Sequence, residues 1–170
     1  MLPLTVKRRW WHRLVQKLAA THFGLWLLPN TLHRIDALLL KLTGNSISLT
    51  SLLAGLPVII LTTSGAKSGL SRQKPLVAIA DGENLILIAS SFGSHRHPAW
   101  YYNLTANPIA QVSIRQQTAT YRARRSAGLE RDHYWQMAQE LYHGFSLYKR
   151  RAGKREIPVM VLEPVAPVSN

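Results

Sequence analysis

The chain has 170 residues, 46% of them hydrophobic, which suits one compact domain with a continuous core. Zero cysteines exclude disulfides, thiolate metal sites and cysteine nucleophiles, and fit a reducing cytoplasm. Its net charge of +13 sets up a field that attracts polyanions, anionic lipid and phosphorylated ligands.

Apolar runs such as Ala37-Leu38-Leu39-Leu40 and Val58-Ile59-Ile60-Leu61 are far shorter than the roughly 18 residues a bilayer span needs, so no transmembrane helix is expected. The basic start leads into a periodic pattern, unlike a secretory signal. Over residues 10–18, Trp11, Leu14, Val15 and Leu18 form a helical stripe, with Arg9, Arg13 and Lys17 turned elsewhere. This basic amphipathic helix has two readings: its stripe packs on the domain, or residues 7–28 lie on an anionic membrane surface. A second stripe predicts a helix over 31–41, ended by Gly44-Asn45. Residues 1–50 therefore read as a helical extension, 51–164 as the main domain and 165–170 as a tail.

Beyond residue 56 the period becomes strand-like. A β-rich run over 57–63 leads through a Gly/Ser turn (64–71) to a strand over 75–80, and Asp81-Gly82-Glu83-Asn84 turns that strand into another over 85–90 as a hairpin. A short helix follows over 100–106, stopped by Asn107-Pro108. A second hairpin spans 109–114 and 119–125, a helix spans 129–141 and a last strand 157–162. About six strands with peripheral helices make an α+β pattern, an antiparallel barrel and not a Rossmann sheet.

Three clusters carry candidate chemistry. Thr62-Thr63-Ser64-Gly65-Ala66-Lys67-Ser68-Gly69 lacks the Walker A spacing, but its glycines admit an oxyanion and Lys67, Arg72 and Lys74 supply cations. Read alone, it is either a phosphate pocket or an ordinary hairpin turn with solvated lysines. In His95-Arg96-His97-Pro98-Ala99-Trp100-Tyr101-Tyr102-Asn103, three successive aromatics open a helix, and at 100° per residue they cannot all face the core. His95 and His97 have no further ligands at metal spacing, so no metal is expected. Tyr142, Phe145 and Tyr148 recur every three residues near the end of the last helix, and Gly144 among them hints at a break. With no GxSxG motif and few acids, a bound cofactor is expected to supply any chemistry.

Taken in order, these pieces resemble the deazaflavin (F420)-dependent nitroreductases, also described as quinone reductases, of the split β-barrel flavin-binding fold. The similarity rests on Leu61 to Gly69, Arg72, Pro75-Leu76, Ala89-Ser90, His97 to Leu104, Ala106-Asn107-Pro108 and Ile157 to Pro164. It implies an FMN-binding-like split barrel with an N-terminal helical extension, acting as an oxidoreductase on a quinone or nitroaromatic-like acceptor. It also implies that Ala66, Lys67, Ser68 and Arg72 hold the cofactor's phosphate and acidic tail, with Gln73, Lys74, Pro75, Leu76 and Val77 running beside it. Ile88, Ala89, Ser90 and Ser91 would border the ring, and Ala99, Trp100, Tyr101, Tyr102 and Asn103 would add ring and tail contacts. Tyr142, Phe145 and Tyr148 would overhang the substrate side. Departures are Ala66 where members commonly carry a basic residue, Ser91-Phe92 where a Lys-Gly pair often stands, and Phe145 in place of a tyrosine. The resemblance favours F420, with FMN or haem as alternatives, a lipophilic acceptor, no nucleic acid, and a homodimer as split barrels often form. A cytoplasmic enzyme peripheral to the inner membrane face is the corresponding location. A non-catalytic nucleic-acid or membrane-binding module is the alternative from another class.

Overall fold

The computed structural model describes residues 56–114 and 117–165. The helices expected over 10–18 and 31–41 lie outside the described residues. Strand β1 (Val58–Ser64) is rich in β-branched residues, which favour a pleated surface, and β2 (Ser71–Val77) pairs with it antiparallel, Val58 opposite Val77 and Ser64 opposite Ser71. After Ala78 come β3 (Ile79–Asp81) and β4 (Asn84–Ile88), joined by Gly82 at φ 58°. A short 3₁₀ turn (Ser91–Gly93) leads to α1 (Ala99–Ala106), which begins after Pro98 and stops before Pro108. The hairpin of β5 (Ile109–Ile114) and β6 (Gln117–Arg125) precedes α2 (Gly128–Leu141), α3 (Gly144–Ala152) and β7 (Val159–Pro164).

The strands form one antiparallel sheet in the order β2-β1-β5-β6-β7-β4-β3. Its outer members, β2 and β3, are one residue apart in the chain. That connection forces the two edges together and curls the sheet into a barrel whose hydrogen-bond ladder stays open at the seam. Ala78, fully buried, sits at the seam and donates its N–H to the Pro57 carbonyl at 3.0 Å.

Two cores follow from the alternation of side chains along the strands. Ile59, Leu61, Leu85, Leu87, Val112 and Leu162 face inward, and α1 closes the barrel with Trp100 and Leu104. Ile86, Val159 and Val161 face outward against Tyr134, Trp135, Ala138 and the aromatics of α3.

Three expectations need correction. The strand expected over 75–80 is two: Pro75 to Val77 belong to β2 and pair with β1, while only Ile79 to Asp81 pair with β4. The described residues hold seven strands, not about six, because of that break at the barrel seam. The Tyr142, Phe145, Tyr148 series is not the end of one helix. Tyr142 is extended (φ −148°, ψ 110°), so α2 ends there and α3 starts afresh at Gly144.

Candidate functional site

The β1–β2 turn is built by its own backbone and by α1. Gly65 donates its N–H to the Leu70 carbonyl, and Gly69, at φ 67°, donates to the Gly65 carbonyl, both at 2.8 Å. Ser68 accepts from the Leu70 N–H through Oγ at 3.3 Å. From α1, Asn103 reaches across: its Oδ1 accepts from the Ala66 N–H at 3.0 Å and its Nδ2 donates to Thr63 Oγ1 at 3.0 Å. Asn103 is buried and its amide is committed to this clamp.

The turn leaves Lys67 and Arg72 exposed. Neither enters an ion pair among the described residues, where Glu130, Asp132, Glu156 and Glu163 instead engage Arg124, Arg125 and Arg131. No Asp or Glu lies between Asp36 and Asp81. Lys74 shares the Arg72 face of β2 and is half-buried, and burial pulls its ammonium below the usual lysine range. This donor set suits an anion: two cations around a glycine-shaped turn, neither in an ion pair among the described residues.

At the other end of β2 the chemistry changes. Val77 and Ile88 pack against the same outward cluster as Tyr142, Phe145 and Tyr148. These three aromatics meet edge to face: Tyr142 and Phe145 have ring centroids 5.7 Å apart, and Phe145 and Tyr148 5.9 Å. Burial pushes the Tyr142 and Tyr148 phenols above the usual tyrosine range. Gly144 is required here, because a Cβ would run into the Tyr142 ring. From Arg72 to Val77 an extended strand covers about 17 Å, with Arg72 and Lys74 on the barrel-facing side of β2 that Leu76 shares and Val77 on the opposite, outward side.

The remaining expected site residues divide. Ser90 and Ser91 follow β4 beside this cluster, and Phe92 sets its ring against Tyr148 at 5.7 Å. Gln73 is exposed and Pro75 half-buried on the edge strand, where a residue without an N–H is tolerated. Ala99 and Tyr102 are exposed and Tyr101 is half-buried. Leu76, Ala89 and Trp100 turn into the barrel core, where they support the site from within. The division among the three aromatics of α1 agrees with the 100° argument: Trp100 is 6% exposed and Tyr102 49%.

Sequence reasoning missed Arg155, whose guanidinium lies among the carbonyls of the loop after β4. Its only sequence signal is a basic run before β7, which reads as solvated.

Comparison with known proteins adds a family. The family model for F420H(2)-dependent quinone reductase matches residues 33–164. The F420H(2)-dependent quinone reductase Rv1261c of Mycobacterium tuberculosis is 32% identical over 109 residues, 62% of this chain and 72% of that protein. Among solved structures, an F420-H2 dependent reductase (FDR-A) is similar with a TM-score of 0.58 and 36% identity, covering 63% of this chain and 94% of its own. A chain described as a domain-swapped dimer is similar with a TM-score of 0.61 and 31% identity, covering 81% and 97%.

Proposed function

The chain belongs to the F420H(2)-dependent quinone reductase family, and from that premise we propose that it reduces a quinone with F420H2, binding the cofactor along β2. The observation that carries this reading is the glycine-shaped β1–β2 turn with its two exposed cations, Lys67 and Arg72, at one end of an edge strand whose other end meets the apolar cluster of α3. It matches a flat ring joined through a phosphodiester to an acidic tail.

In this reading Lys67 and Arg72 hold the phosphate and tail, and Asn103 keeps the turn in shape for them. Val77 and Ile88 border the ring, and Ser90 and Ser91 line its edge. Tyr142, Phe145 and Tyr148 close the acceptor side and exclude water, which strengthens every polar contact inside. F420H2 supplies the hydride, so the chain needs no nucleophile of its own. The phenols of Tyr142 and Tyr148 keep their protons at neutral pH, and one of them can donate to an acceptor oxygen.

Fluorescence titration with F420 tests the reading. Lys67→Ala and Arg72→Ala should each weaken binding about tenfold, the cost of one charge-assisted contact. Normal affinity in both variants would overturn the assigned phosphate site. Retention of FMN or haem in place of F420 would overturn the cofactor. Quinone and nitroaromatic acceptors compared in one turnover assay separate the two acceptor classes.

The same reading extends to location. A lipophilic quinone partitions into membranes, and the basic amphipathic stripe at residues 10–18 suits the anionic inner face of the cell membrane. Among the described residues, no helix is long and apolar enough to cross a bilayer. Deleting residues 1–30 should abolish association with anionic liposomes, and unchanged association dismisses the membrane role. The chain acts as a homodimer in this reading, for which light scattering should give twice the chain mass of 19.1 kDa.

A further inference from the structure

The loop after β4 holds a conformation that side chains resist. Ser91 and Phe92 are consecutive non-glycine residues in the left-handed region, at φ 49° and 53°. Gly93 follows at φ 78°, packed so tightly on α3 that a Cβ would come within 2.7 Å of the Tyr148 carbonyl. Such backbone persists only where its surroundings over-determine it.

Arg155 supplies much of that determination. Its Nη2 donates to the Ser90 carbonyl at 2.6 Å, its Nε to the Ser94 carbonyl at 2.7 Å and its Nη1 to the Ala89 carbonyl at 3.3 Å. Nη1 also lies 3.0 Å from His97 Nδ1. A guanidinium only donates, so His97 must accept through Nδ1 and carry its proton on Nε2. The His97 ring in turn packs on Tyr101 with centroids 4.9 Å apart, which ties the clamp to α1. One side chain thus holds both flanks of the strained turn. A lysine could not, because its single ammonium lacks the planar fork.

We infer that Arg155 is a positioning residue that fixes the Ser90–Ser91 edge of the cofactor site through their backbone, an inference that rests on the F420 reading above. In this role it acts through the loop backbone and not by direct contact with cofactor or acceptor. Its effect passes through the carbonyls of Ala89, Ser90 and Ser94.

The test uses full-length Arg155→Ala and Arg155→Lys with three measurements: amide hydrogen exchange over 89–97, F420 affinity by fluorescence, and rescue by guanidinium chloride well below denaturing concentration. Loss of hydrogen bonds from a charged group should raise loop exchange and weaken F420 binding by about tenfold in Arg155→Ala, with β5 and β6 unchanged. Added guanidinium should recover both effects and sodium chloride neither. Arg155→Lys, which keeps the charge and carries the test if the alanine variant does not fold, should remain defective in both. Unchanged loop exchange in the variants overturns the clamp. Faster exchange with unchanged F420 affinity overturns the positioning role. Failure of the wild-type chain to bind F420 overturns the cofactor reading instead, and loop exchange alone then decides whether Arg155 is a clamp.

Discussion

Asn103 spends both halves of its amide on the β1–β2 turn, so Asn103→Ala strips the Ala66 N–H and the Thr63 hydroxyl of a partner in one step. The expected cost is about 1–3 kcal/mol in denaturant unfolding. F420 should also bind more weakly although no cation has been touched, and equal affinity would show that the turn holds its shape without the clamp. His97 gives a pH dependence. Burial lowers its imidazole pKa, and Arg155 and Arg125 lower it further against a smaller opposing pull from Glu156. The folded state therefore prefers the neutral ring more than the unfolded chain does. The stability this confers is complete above about pH 6.5 and is lost as pH falls toward the lower folded value. Amide exchange over 89–97 should accelerate on acidification through that window. His97→Gln keeps an acceptor for Arg155 without a titrating ring, and should flatten the response; an unaltered pH profile would exclude His97 as its source.

Elements differ in how openly the sequence announces them. Gly82, Pro98 and Pro108 mark turns and a helix stop through local backbone chemistry, and the β3–β4 turn, α1 and the β5–β6 hairpin follow from them. The break at Ala78 has no such mark. Pro75 to Ala80 reads as continuous strand, because the residues of β2 and β3 have the same β preference and only closure of the barrel separates them. Gly144 did signal the α2–α3 break, yet its reason, room for the Tyr142 ring, is tertiary. The cations of the candidate site were legible because charge in a glycine turn is a local pattern. Arg155 was not, since its partners lie about sixty residues away and are backbone carbonyls, which carry no residue identity. The seam itself can be tested. Ala78→Leu adds a large side chain where there is no exposed surface to receive it, and overpacking of this kind costs about 1–3 kcal/mol. The denaturation midpoint should fall by the corresponding amount, and an unchanged midpoint would mean that the seam is loosely packed.

Across the whole molecule, charge is sorted as well as abundant. Arg124 binds Glu130 through both oxygens and also Glu163, while Arg125 pairs with Glu156. These exposed pairs neutralise β6 and its neighbours and add little stability each. The β1–β2 hairpin, by contrast, has three cations and no acid. Part of the excess positive charge of the chain thus reaches solvent on α3, at Lys149, Arg150 and Arg151, and another part at the cation-bearing turn of the barrel. A ligand with several negative charges will be drawn there, and salt will screen the attraction between exposed charges. F420 affinity should therefore fall steeply between low and high ionic strength, and more steeply for forms with longer glutamate tails. FMN, with a single phosphate and no acidic tail, should lose much less. Lys67→Ala and Arg72→Ala should each flatten the F420 slope, because each removes one of the charges being screened. Measured as Kd against salt for wild type and both variants, parallel slopes would show that the attraction comes from charge elsewhere on the molecule and not from this hairpin.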